Sequence, residues 1–186
     1  MGIALAMLLP ELIIVIAQGL WFVAPAWAAN AFPPLTGGRL PLDRGFVLHG
    51  RRLFGGGKTV EGTLGGLIFG LFIGWLQVLA QPAFPAELWS ELGLFEMTLP
   101  IAALIVVGAL AGDIIGSAAK RRAGLERGAT FWPFDQLGFI VFALLFAAPL
   151  LVLSIPTVIF IVILTLFVHW LGNQLGYAMR VKKVPW

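Results

Sequence analysis

The sequence predicts an all-α integral membrane protein of about five transmembrane helices, a single membrane domain over residues 1–186 with two functional cytoplasmic loops. Composition is the first reason: 60% of residues are hydrophobic and 11% charged, against roughly 25% charged in a soluble domain, and the mean hydropathy is +0.98. The second is length. Apolar runs close to the roughly 20 residues that cross a hydrocarbon core of about 30 Å fall at about 3–29, 62–80, 98–119, 137–154 and 157–178. The third is where the charge lies. All twelve Lys and Arg fall in three places: Arg39, Arg44, Arg51, Arg52 and Lys58; Lys120, Arg121, Arg122 and Arg127; and Arg180, Lys182 and Lys183.

Five spans put those three places on one side. The segment 81–97 carries Glu87, Glu91 and Glu96 and no base, so the positive-inside rule places it outside with the N-terminus, and the C-terminus and both basic loops in the cytoplasm. The net charge of +3 is thus an asymmetry across a cell membrane, and nucleic acid is not an expected partner. Ala26-Trp27-Ala28 imitates a signal-peptide cleavage site, but no basic segment precedes the apolar run and Glu11 interrupts its start. Ala6 stands where myristoylation needs Ser or Thr. The absence of cysteine removes disulfides, thiolate metal sites and thiol nucleophiles.

In the first span, Pro10 and Glu11 near the outer end read as a fraying helix end at the interface rather than an ion path. Pro33-Pro34 and Gly37-Gly38 then stop the helix. The loop of about 30–61 interleaves Gly, Pro, bases and apolar residues, a mixture that fits an anion-binding loop better than a linker. Leu53 and Phe54 beside Arg51 and Arg52 predict contact with the lipid interface. Gly55-Gly56-Gly57-Lys58-Thr59 imitates a P-loop, yet Arg52 occupies the place of that motif's first glycine and no strand precedes it. What remains is local: glycine backbone N–H groups can approach a phosphate, Lys58 adds charge, and the following helix presents its positive end.

Gly62, Gly66, Gly70 and Gly74 share one face of the second span, and Gly108, Gly112 and Gly116 repeat the spacing in the third. Such faces let helices approach backbone to backbone, which would bring Lys58 near the inner end of span three. Between the spans, Leu88, Trp89, Leu92 and Phe95 predict a short interfacial helix. Span four is featureless apart from Pro149 and turns tightly into span five near Ser154-Ile155-Pro156. His169, Asn173 and Tyr177 share a face of span five. That stripe either lines a site or hydrogen-bonds between helices.

The densest chemistry lies in 112–136. A helix continuing past the membrane boundary would set Asp113, Ser117 and Lys120 on one face, with Arg121 beside them. Gly124, Gly128 and Pro133 return the chain to Asp135. Asp113 follows an unbroken apolar and glycine run from Ile101, and an ionisable residue there calls for a function. A carboxylate at each end of a basic loop suits Mg²⁺, which binds one or two carboxylates plus substrate phosphates, with Lys and Arg neutralising the rest. The plainer alternative is a positive-inside loop with two salt-bridged aspartates.

Gly112-Asp113, Ser117, Lys120-Arg121-Arg122, Gly124, Gly128 and Pro133-x-Asp135-Gln136 resemble the signature of the archaeal CDP-archaeol synthases, distant relatives of the CDP-diacylglycerol synthases. The resemblance extends to Asn30, Pro41-Leu42-Asp43, Gly50 to Gly55, Lys58-Thr59, Asn173, Tyr177, Lys182 and Pro185-Trp186. The bacterial His-Gly-Gly-x-x-Asp-Arg ending is replaced by Phe131-Trp132-Pro133-Phe134-Asp135-Gln136, which favours the archaeal branch.

The resemblance implies a membrane cytidylyltransferase that converts digeranylgeranylglyceryl phosphate and CTP to a CDP-lipid and pyrophosphate. It implies catalytic roles for Asp113, Lys120, Arg121 and Asp135, with Asp113 and Asp135 holding Mg²⁺. It implies binding roles for Lys58, Thr59, Ser117, Lys120, Arg121, Arg122, Arg127, Gln136, Asn30 and Asn173. The attacking phosphate has a second pKa of about 6 and needs no base at neutral pH, so His49 is expected to be structural. CTP, an isoprenoid ether-lipid phosphate and membrane lipids are the expected partners, and a homodimer is compatible with the sequence. Other readings are a CDP-diacylglycerol synthase-like enzyme acting on another phospholipid and a small transporter. Transport would call for polar residues at mid-membrane, where the spans have almost none. The carboxylate-rich run of CDP-alcohol phosphotransferases is missing.

Overall fold

The computed structural model describes residues 2–126 and 129–180. Helix α1 (Gly2–Ala31) leads through a one-turn helix α2 (Pro33–Thr36) to a hairpin of β1 (Val47–Leu48) and β2 (Arg51–Arg52). Then follow α3 (Val60–Ala80), α4 (Ala86–Glu91), α5 (Leu99–Arg122), α6 (Phe134–Ala147) and α7 (Ile155–Ala178). Among the described residues four helices, α1, α3, α5 and α7, are long and apolar enough to cross a membrane, and α6 is a shorter apolar helix. The chain is therefore an all-α, multi-pass membrane protein.

Glycine contact holds the bundle together. A Cβ on Gly70 of α3 would lie 2.7 Å from Val106 of α5 and 2.9 Å from Ala29 of α1, and one on Gly112 would strike the carbonyl oxygen of Gly138 in α6. Lipid offers apolar surfaces no hydrophobic gain on association, so this proximity, with its dispersion contacts, is what holds α1, α3, α5 and α6 together. Phe22, Val23, Ile105, Val106, Phe139, Ile140 and Ile161 fill the core between them. At the far end from the basic loops, Gln18 donates to the Gly93 carbonyl (2.6 Å) and accepts from the Thr157 hydroxyl (3.1 Å). One amide side chain thereby ties α1, the segment after α4 and α7.

Several boundaries differ from the sequence expectation. The fourth run, expected at 137–154, is helical from Phe134 to Ala147 only, 14 residues, or about 21 Å. Pro149 explains the early end: it has no N–H to donate, and its ring would clash with the carbonyl four residues back. The connection to α7 is the segment Ala148–Ser154 rather than a tight turn. Helix α1 runs unbroken through Pro10 and Glu11, so the helix does not end there. The outer interfacial helix stops at Glu91 because Gly93 adopts φ +56°, and Phe95 packs against the core beyond it. Leu53 and Phe54 are half-buried; the exposed large apolar residues of that loop are Leu35, Leu40, Phe46, Val47 and Leu48. Before α6, the rings of Phe131 and Phe134 stack at 4.8 Å, while Trp132 is 72% and Phe134 58% exposed.

Candidate active site

The first basic loop is built around Asp43, whose side chain is fully buried. Its carboxylate accepts from the Arg52 guanidinium and from the backbone N–H groups of Gly45 (3.0 Å), Phe54 (3.1 Å) and Gly55 (3.1 Å). Burial alone would raise its pKa, but these donors hold it down to about 2. The hairpin turn places His49 at φ +50° and Gly50 at φ +74°, the type I′ geometry of a two-residue connection. His49 thus has a turn position, exposed at the hairpin tip. The loop returns beside its own start, with Leu42 N–H donating to Lys58 O (2.8 Å) and Val60 N–H to Leu40 O (2.9 Å). Lys58 is thereby fixed just ahead of α3.

Helix α5 brings Asp113, Gly116, Ser117 and Lys120 to one face, as its period requires, and α6 brings Asp135 in its first turn. Together with Lys58, Gly112, Phe134 and Phe139 they enclose a polar chamber of about 100 Å³. Gly116 has no packing partner, and a Cβ there would meet open space. Inside, Lys58 pairs with Asp113 Oδ2, and Lys120 lies 2.9 Å from Asp135 Oδ2, which also accepts the Phe131 N–H at 2.9 Å. Asp113 and Asp135 also line a larger cavity of about 730 Å³, with Asn30, Lys58, Thr59 and His169 as further polar lining and Pro33, Leu110 and Ile114 as apolar lining.

Beyond the glycine segment 55–57 lies a third cavity, about 460 Å³, lined by Arg51, Arg52, Arg121, Gly55, Gly124 and Glu126. Arg52 pairs with Asp43; Arg51 and Arg121 pair with no carboxylate among the described residues. The structure therefore divides the bases expected at one site. Lys58 and Lys120 face the carboxylates, whereas Arg121 turns toward the neighbouring cavity. Arg122 donates to the carbonyls of Leu48 (2.6 Å), Arg52 (2.9 Å) and Arg51 (3.3 Å), clamping the hairpin onto the end of α5. The Thr59 hydroxyl caps α3, accepting from Gly62 N–H (3.1 Å) and donating to Gly37 O (2.9 Å). Both groups are spent on the scaffold in this structure.

Gln136 follows Asp135, its Oε1 buried without a hydrogen-bond partner. Asn173 lies one turn beyond His169 on α7, half-buried, and Tyr177 is exposed. Arg127, Lys182 and Pro185-Trp186 lie outside the described residues. Sequence reading underrated Asp43, one of two carboxylates with Glu61 among the five bases of its loop; of the two roles left open for the span-five stripe, His169 lines the cavity wall.

The donor set fits Mg²⁺. No group of three or more His, Cys, Asp or Glu converges among the described residues, but two carboxylates in one chamber are what Mg²⁺ takes from a protein when substrate phosphates and water complete its shell.

The CarS-like family described as CDP-archaeol synthase matches residues 12–186. The chain belongs to this CDP-archaeol synthase family. A relative in Thermococcus kodakarensis, described as a CDP-archaeol synthase, is 43% identical over 167 residues, 89% of this chain and 94% of its own length. One in Methanopyrus kandleri with the same description is 40% identical over 174 residues, 92% of this chain and 94% of its own. Among solved structures, an intramembrane enzyme for archaeal membrane lipids biosynthesis superposes with a TM-score of 0.70 at 36% identity, covering 83% of this chain and 91% of that one. This CDP-archaeol synthase family member is thus a membrane-embedded transferase.

Proposed function

We propose that this enzyme transfers the cytidylyl group of CTP to the phosphate of an unsaturated isoprenoid ether lipid, digeranylgeranylglyceryl phosphate, on the cytoplasmic side of the membrane. The observation that carries the reading is the junction of two cavities at Asp113 and Asp135: a small chamber of paired charges opening beside a larger one with an apolar wall. A phosphate headgroup with an apolar tail fits that junction. A lipid phosphate oxygen attacks the α-phosphorus of CTP, the bond from that phosphorus to the bridging oxygen of the β-phosphate breaks, and pyrophosphate leaves with the bonding electrons. The attacking phosphate is already largely dianionic at neutral pH, since its second pKa is about 6.

The protein's part is positioning and electrostatic compensation. Lys58 and Lys120 supply positive charge at the chamber, and Arg51 and Arg121 supply it across the glycine segment 55–57, where the departing phosphates would emerge. Leu110, Ile114 and Pro33 give the isoprenoid chain an apolar surface. Mg²⁺ held by Asp113 and Asp135 would offset charge on the phosphate oxygens.

Purified protein in detergent with labelled CTP, Mg²⁺ and the lipid phosphate is expected to yield CDP-lipid and pyrophosphate in equal amounts. Absence of both products rejects the reading; turnover of phosphatidic acid at the same kcat/KM rejects the lipid assignment. Asp113→Asn and Asp135→Asn are each expected to lower kcat by about 100-fold or more. Full rates in both would remove the carboxylates from the reaction.

A further inference from the structure

Each carboxylate assigned to the metal is held by a lysine assigned to the phosphates. Lys58, ahead of α3, pairs with Asp113 of α5, and Lys120 of α5 pairs with Asp135 of α6. We infer that Lys58 and Lys120 are exchangeable counter-ions: they hold the two aspartates while the site is empty and move to phosphate oxygens when metal and nucleotide arrive together. The inference rests on the cytidylyltransferase reading of the site and adds an order to its binding events.

The carboxylate oxygens make the two occupancies exclusive. The Lys58 ammonium sits on Asp113 Oδ2 and the Lys120 ammonium on Asp135 Oδ2. Asp135 Oδ2 already accepts from the Phe131 N–H and the Lys120 ammonium, so a cation reaching that oxygen displaces the lysine. The lysine stem is flexible and its head is a rotatable point charge. Lys58 also lines the larger cavity, so it can follow the phosphates without moving the backbone.

Charge gives the exchange its direction. Two lysines and two aspartates sum to zero. A dication alone leaves the chamber positively charged, with two ammonium groups displaced and unpartnered. A triphosphate alone faces two carboxylates. The complex of both gives each ammonium a phosphate, each carboxylate the cation, and leaves a negative excess toward Arg51 and Arg121. Binding of either partner therefore strengthens binding of the other, by the same factor.

The test measures Mn²⁺, as a spectroscopic substitute for Mg²⁺, by electron paramagnetic resonance on the full-length protein in detergent. Wild-type protein is expected to bind Mn²⁺ about tenfold or more tightly with CTP than without. Lys58→Met and Lys120→Met, which keep the stem and delete the charge, are each expected to raise nucleotide-free Mn²⁺ affinity about tenfold while weakening CTP. A purely structural ion pair predicts a lower thermal midpoint and no gain in Mn²⁺ affinity, and that result overturns the proposal. If the methionine variants do not fold, Lys58→Gln and Lys120→Gln are measured the same way. In wild-type protein that binds CTP, equal Mn²⁺ affinities with and without the nucleotide also overturn it. A wild-type protein that never binds CTP refutes the cytidylyltransferase reading instead, and nucleotide-free Mn²⁺ binding by the lysine variants still decides the exchange.

Discussion

Asp43 sets no part of the proposed chemistry, yet it holds the loop that carries Lys58. Its buried carboxylate has four donors, and Asp43→Asn would leave a donor facing donors. A loss of about 1–3 kcal/mol in local stability is expected, visible as faster hydrogen exchange at Phe54 and Gly55. Since its folded pKa is about 2, below the roughly 3.9 of an unfolded aspartate, its contribution is complete above about pH 4 and is lost as pH falls toward 2. Protection of the Phe54 and Gly55 amides, with intrinsic rates divided out, should follow that course; protection unchanged down to pH 2 would contradict the assignment. In the sequence, Asp43 was visible as a carboxylate among bases. Its partners were not, because three of its four donors become neighbours only once the hairpin closes.

Among the elements, α5 was the most legible. Helical period alone placed Asp113, Ser117 and Lys120 together, and the glycine row of α3 foretold the approach to α5 that brings Lys58 to Asp113, whereas Gly108 and Gly112 of α5 pack against α6 instead. Gly70→Leu should push α3 from α5 and α1, destabilise the bundle by about 1–3 kcal/mol and lower the thermal midpoint in detergent. It should also reduce activity, since Lys58 moves with α3. A variant as stable and active as wild type would show that this approach is not required. The end of α6 was misread for a physical reason: a span length of about 20 residues was imposed on a run that Pro149 ends at 14. The role of Arg122 was hidden for another. Its carbonyl partners lie 70 to 74 residues away in sequence, a separation no local period reports.

At the scale of the whole molecule, the two basic loops and the start of α6 form one composite end, and the acidic segment around α4 lies at the other. The proposed orientation puts the composite end in the cytoplasm. Because the chain has no cysteine, single substitutions report on it cleanly. Val47→Cys and Ser90→Cys, both at exposed positions, should react with an impermeant maleimide from opposite faces of sealed vesicles, Val47→Cys from the cytoplasmic one. The reverse pattern would invert the topology. The exposed aromatic residues before α6 bear on depth as well as side. Trp132 and Phe134 flank Pro133 immediately before Asp135, and such rings favour the headgroup zone of a bilayer. With them at that level, the two carboxylates stand at the height where a phospholipid already carries its phosphate. The proposed lipid substrate can then reach the chamber by lateral diffusion within its own leaflet, without lifting its isoprenoid chains into water, and only the proposed nucleotide has to come from solution.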